Sequence, residues 1–93
     1  MDSDSIDAWW LYLLMCTDGR TYVGIAKNVE ARFALHVSGK GARFTRANKP
    51  IKILGAQYFT SRSAASKAEY ALKQLDRPQR LRWATTFAWQ SPS

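Results

Sequence analysis

WWLYLLMCTDGRTYVGIA, residues 9–26, is the stretch on which the fold turns. Its first half is apolar at both parities: Trp9, Leu11, Leu13 and Met15 would share one face of a strand, and Trp10, Tyr12, Leu14 and Cys16 the other. A strand apolar on both faces is covered on both and lies centrally in its sheet. A buried helix is the competing reading. The Asp18-Gly19 turn, followed by a second β-rich run from Thr21 to Ala26, favours the strand. The turn length then sets which side chains meet. A two-residue Asp18-Gly19 loop pairs Met15 with Tyr22 and sends Tyr12 and Tyr22 to opposite faces. A three-residue Thr17-Asp18-Gly19 loop, with Gly19 left-handed in a bulge, pairs Cys16 with Arg20 instead. Leu14 then faces Tyr22, Tyr12 faces Gly24, and both tyrosines share a face. The three-residue register is the expected one.

Working outward, Asn28 is a good N-cap for a helix over about 29–38, with Val29, Phe33 and Val37 toward the core and Arg32 and His36 on another stripe. Residues 38–49, SGKGARFTRANK, read as a loop rich in glycine and cations; Lys40, Arg43, Arg46, Lys49 and Lys52 recur every third residue. Pro50 opens a third strand that runs to about Phe59. Ser61 or Ser63 caps a second helix to about Leu75, with Ala65, Ala68, Leu72 and Leu75 as its apolar stripe and Glu69 at the stripe's edge. Pro78 suits the first turn of a short third helix, Gln79 to Trp83. Residues 1–8 read as a disordered acidic N-terminus and residues 9–83 as one domain. Residues 84–93 form a C-terminal tail that either docks on the domain or extends the last helix. The order β-β-α-β-α-α gives an α+β domain, a small antiparallel or mixed sheet flanked by helices.

The charge narrows the function. Fourteen Lys and Arg face seven Asp and Glu, a formal +7 over 93 residues. Asp2, Asp4 and Asp7 precede residue 9, so residues 9–93 carry all the cations and only Asp18, Glu30, Glu69 and Asp76, a net +10. A small basic domain suggests a polyanionic partner, of which nucleic acid is the commonest. Cys16 is the single cysteine, which excludes an intramolecular disulfide and a cysteine zinc cluster and fits a reducing compartment. The opening MDSDSIDA lacks the basic-then-apolar order of a signal peptide, and no apolar run approaches the ~20 residues of a membrane span. A cytoplasmic protein without a membrane partner is expected.

No phosphate-cradling glycine motif, nucleophile triad or metal cluster of repeated spacing is present. An aromatic-plus-cation constellation stands out instead: Tyr12, Tyr22, Arg32 and His36, with Glu69 on a distant helix. Taken singly, each has an ordinary structural role. The tyrosines suit half-buried strand positions, Arg32 a solvated helix face, His36 a surface or internally satisfied position, and Glu69 a pair with Lys73 at i, i+4.

Taken in order, the set resembles the GIY-YIG nuclease superfamily. Trp10-Leu11-Tyr12 followed by Tyr22-Val23-Gly24 is similar to its paired motif, with Arg32, His36 and Glu69 at the matching downstream positions. The phrases TYVGIAKNVEARFALHVSGKGARFTR and SRSAASKAEYALKQL resemble the small stand-alone bacterial members, the YhbQ-like proteins, across about residues 9–83. The chain departs from the pattern at Trp10, which stands where the first glycine would be, and at Ile25, where some members carry a polar group. It also has no asparagine near its C-terminus.

The resemblance implies a three-stranded antiparallel sheet flanked by helices. It further implies a metal-dependent DNA endonuclease, structure-directed and linked to DNA repair or processing. The alternative is a nucleic-acid-binding module of the same fold with little or no cleavage. In the enzyme reading Tyr22 is the general base. A free phenol has a pKa of about 10, so the role needs help from cations or the metal. Arg32 sets its planar fork on the phosphate, Glu69 holds one Mg²⁺ or Mn²⁺, and Tyr12 and His36 orient water and phosphate or relay a proton. Lys27, Lys40, Arg43 and Arg46 are candidate phosphate contacts, and Phe44 a surface on which a base stacks. No helix presents base-reading side chains to a groove, so backbone or branched shape, including single strands, is the expected target. The aromatic termini, Trp9, Phe87 and Trp89, are a candidate protein contact.

Overall fold

The computed structural model describes residues 8–90. Two strands, β1 (Trp9–Cys16) and β2 (Thr21–Ala26), are followed by α1 (Val29–Val37) and α2 (Arg43–Ala47). The chain continues through β3 (Pro50–Phe59), α3 (Arg62–Lys73) and α4 (Arg77–Thr86). The sheet is antiparallel with strand order β2-β1-β3. The doubly apolar strand is therefore central, as its pattern requires. Leu11, Tyr12, Leu13, Leu14 and Cys16 are all buried.

The hairpin adopts the three-residue turn. Cys16 N–H donates to Arg20 O at 2.8 Å, and Gly19 sits at φ 87°, a left-handed conformation that a side chain rarely tolerates. Tyr12 is opposite Gly24 and Leu14 opposite Tyr22. Alternation then puts Tyr12 and Tyr22 on one face and Leu11, Leu13 and Val23 on the other. The second face packs under Leu72 of α3 and Ala84 of α4, with Ile25, Leu54, Ala68, Leu75 and Trp83 around them.

Two features differ from the sequence reading. The basic loop contains a short helix, α2, which adds one element to the expected order. The last helix is longer than Gln79–Trp83 because Asp76 and Gln79 form a reciprocal capping box with Pro78 in the first turn. Past residue 83, Ala84 also joins the core, and the segment after α4 docks on the free edge of β3. There Ala56 N–H donates to Phe87 O at 2.9 Å and Trp89 N–H to Leu54 O at 3.2 Å. The tail thus both extends the helix and docks. Residues 1–7, where acidic disorder is expected, lie outside the described residues. Among the described residues no helix is long and apolar enough to cross a membrane.

Candidate active site

The site is assembled around the pair Tyr12 and Gly24. A Cβ built on Gly24 would lie against the Tyr12 hydroxyl and 2.6 Å from its Cζ, so only glycine lets the ring lie flat across β2. Tyr12 is buried at 2% exposure, and its hydroxyl lies 3.0 Å from Nε2 of His36. His36 is buried to the same degree on α1, with both ring nitrogens partnered rather than at the surface. Its other nitrogen, Nδ1, lies 2.8 Å from Thr45 Oγ1 on α2. Gly41 makes this possible, because a Cβ there would overlap Nδ1 and sit 2.8 Å from Cε1.

The short contacts agree on one protonation pattern. Thr45 donates its hydroxyl proton to Ala42 O at 2.8 Å. Its oxygen therefore accepts from Nδ1–H of His36, and Nε2 accepts from the Tyr12 hydroxyl. With its proton on Nδ1, the ring cannot accept from the Ala42 amide, which stays the longer contact at 3.4 Å. Burial, followed by the Arg32 charge, holds His36 below the ordinary histidine range, which keeps it neutral. Burial pushes the Tyr12 phenol well above the ordinary tyrosine range; Tyr22 and Glu69 add to this and Arg32 opposes it. Tyr12 is thus a protonated phenol whose proton points at His36, leaving its oxygen as an acceptor.

Tyr22 stands beside this pair. Its ring centroid is 6.4 Å from that of Tyr12 and 5.1 Å from that of His36, in an edge-to-face contact with the imidazole. Phe44 stacks on Tyr22 at 5.8 Å and 22°. One face of Phe44, expected to hold a base, is therefore engaged by protein and braces the tyrosine.

All five candidate catalytic residues line one cleft of about 430 Å³: Tyr12, Tyr22, Arg32, His36 and Glu69. Gly24, Ile25, Lys40 and Arg62 also border it. Glu69 belongs to the helix that covers the opposite sheet face. It reaches the tyrosines because β2 is an edge strand, around which an α3 side chain can extend beside the bare Gly24. Glu69 is paired with Lys73 at 3.3 Å. It is the one carboxylate in the cleft lining, and among the described residues no three His, Cys, Asp or Glu side chains form a metal cage. A single carboxylate suits a hard divalent cation that keeps waters and shares a phosphate, so the donor set fits such an ion.

Of the other candidates, Lys40 borders the cleft, while Arg43 and Arg46 are exposed on α2. Lys27 lies over the Trp9 ring, 5.5 Å from its centroid, outside the cleft lining. Arg62 lies 5.5 Å from the same ring and does reach the cleft. Sequence reasoning missed Arg62, although it shares a helical face with Glu69 seven residues on. It also missed Thr45, which no spacing marks. The aromatic termini are half-buried and in contact within the fold: Trp9 under Lys27 and Arg62, Phe87 on Trp83 at 5.3 Å, and Trp89 against the Tyr12 cluster.

The model of the GIY-YIG catalytic domain matches residues 8–82, and the chain belongs to that nuclease family. Among curated relatives it is similar to a UPF0213 protein of Cupriavidus necator, 50% identical over 80 residues, covering 86% of this chain and 85% of the relative. A UPF0213 protein of Xanthomonas axonopodis pv. citri is 46% identical over 80 residues, covering 86% and 78%. The solution structure of protein EF2693 from E. faecalis matches with a TM-score of 0.58 at 36% identity, covering 85% of this chain and 84% of that one. The UPF0213 protein BH0048 from Bacillus halodurans matches with 0.54 at 33%, with the same coverage. The chain thus groups with these small bacterial GIY-YIG proteins, as its motifs suggest.

Proposed function

We propose that the chain is a metal-dependent DNA endonuclease, structure-directed and serving DNA repair or processing inside the cell. The observation that carries this reading is the convergence of two tyrosines, an arginine, a histidine and a carboxylate on one cleft bordered by Lys40 and Arg62. Three cations around one carboxylate suit a phosphate rather than a cationic or neutral substrate.

Hydrolysis forms a bond from water oxygen to phosphorus, breaks a bridging P–O bond, and moves one proton from the water and one to the departing oxygen. Tyr22, as the phenolate that the surrounding cations favour, accepts the water's proton, and a solvent water gives the departing oxygen its proton. Tyr12 offers its oxygen to that water as an acceptor, since its own proton is committed to His36. The neutral His36, fixed by Thr45, holds Tyr12 in this orientation. Arg32 and Arg62 bind the non-bridging phosphate oxygens and offset the charge that develops there. Glu69 would hold a Mg²⁺ or Mn²⁺ ion, which supplies Lewis-acid stabilisation of phosphate charge when bound. Lys40, Arg43 and Arg46 contact flanking phosphates, and their recurrence along one segment favours reading of backbone shape over sequence.

The test is cleavage of supercoiled, single-stranded and branched DNA with Mg²⁺ or Mn²⁺. Wild type should nick. Tyr22→Phe and Glu69→Ala should each lose roughly 100-fold or more in rate while keeping salt-sensitive binding. Equal cutting by wild type and Glu69→Ala would sink the assignment. A second reading, a binding module with little cleavage, draws on the pairing of Glu69 with Lys73. It predicts wild-type binding with no metal-dependent product.

A further inference from the structure

A second depression adjoins the cleft. It measures about 290 Å³ and is lined by Thr21, Tyr22, Val23, Phe44, Lys73 and Arg80. Tyr22 is the wall common to both. The two lie at successive stations along the same free sheet edge: the cleft at Gly24 and Ile25, the depression at Thr21 to Val23. Residues two apart in a strand are separated by about 7 Å.

The lining has the features of a nucleobase site. One wall is the stacked pair of Tyr22 and Phe44. The floor is the outer edge of β2. Pairing alternates along an antiparallel ladder, and Cys16 N–H bonds Arg20 O. Residues 20, 22 and 24 therefore turn their main-chain groups to β1, and Thr21 and Val23 turn theirs outward. An outward N–H and C=O on one residue match the donor and acceptor pattern at the edge of a base. Two cations border the depression. Arg80 is fixed by donating to Thr21 Oγ1 and Lys73 O, each at 3.0 Å, so its charge is held in place.

We infer that this depression receives the base of an unpaired nucleotide whose phosphate lies in the catalytic cleft. Duplex DNA keeps its bases stacked and cannot fill it without flipping one out. The site therefore gives the enzyme a preference for strands with an unpaired nucleotide at a branch or flap. This inference rests on the DNA-cleaving reading above for its substrate, but it concerns binding and can fail separately.

The test uses a branched DNA carrying 2-aminopurine at the first unpaired position, titrated in EDTA so that nothing is cut. Wild type should quench the fluorescence and bind this DNA roughly tenfold more tightly than a matched duplex, the scale of one stacked base. Thr21→Trp, which plugs the depression, should abolish quenching and preference and leave duplex affinity within about twofold. Thr21→Val removes the same hydroxyl from Arg80 but keeps the space. It should behave as wild type, which separates plugging from loss of that bond. Wild-type duplex binding without quenching or preference would overturn the base site and leave the nuclease reading standing, as would full quenching by Thr21→Trp. Absence of any DNA binding would overturn both. Quenching and preference in a protein that never cleaves would uphold the base site against the nuclease reading.

Discussion

The two faces of the sheet hold the same central strand by different means. On one, Leu11, Leu13 and Val23 pack against Leu72 and Ala84 with no polar atom required. On the other, Tyr12 is equally buried, but a chain through His36 and Thr45 to Ala42 satisfies its hydroxyl. The apolar face is stabilised by transfer from water and by close packing, which depend on volume. The tyrosine face depends on particular atoms, because a buried donor or acceptor left without its partner is costly. Strand alternation puts a stability module and a chemical module one residue apart.

Five measurements test that contrast. Leu13→Ala deletes side-chain volume at a position with 0% exposure and should cost about 2–5 kcal/mol in denaturant unfolding. A smaller loss than at Tyr12 would reverse the proposed division. Gly24→Ala forces the Tyr12 ring to move and should cost about 1–3 kcal/mol. Its signature on the site would be altered proximity of Tyr12 to His36, read from the imidazole resonances. Tyr12→Phe keeps the packing but orphans Nε2 of His36, at about 1–3 kcal/mol; a cost near zero would mean that the bond to His36 contributes nothing.

The pH dependence has a fixed sign. His36 has a lowered pKa in the folded chain, so below about pH 6.5 the unfolded chain binds the extra proton and the folded one does not. Stability should fall as pH drops from about 6.5 toward the folded value. His36→Gln should flatten that part of the profile, and an unchanged profile would contradict a buried neutral His36. The smallest effect belongs to Lys73→Ala. This i, i+4 pair, exposed at Lys73 and half-buried at Glu69, should contribute only about 0.3–0.5 kcal/mol, and a larger loss would make Lys73 part of the packed frame.

Much of this was legible beforehand. The doubly apolar run of β1 required a central strand, and the choice between turn lengths reduced to one testable register. Asn28 and Ser61 do cap α1 and α3, accepting from Ala31 N–H and Ala64 N–H. The α2 helix was not legible, since RFTRA has the composition of a solvated basic loop and shows its purpose only once Thr45 meets His36. The tail was undecidable because Phe87 and Trp89 bear no period that distinguishes docking from helix extension.

Local patterns were sufficient for the strands, the turn, the caps and the order of the chemical residues, because each depends on neighbours within a few positions. The burial of His36, the bracing of Tyr22 by Phe44 and the arrival of Arg62 and Glu69 at the tyrosines depend on contacts between distant segments. Those contacts follow from β2 being an edge strand with a glycine opposite Tyr12. A linear sequence displays that glycine but not the space it leaves.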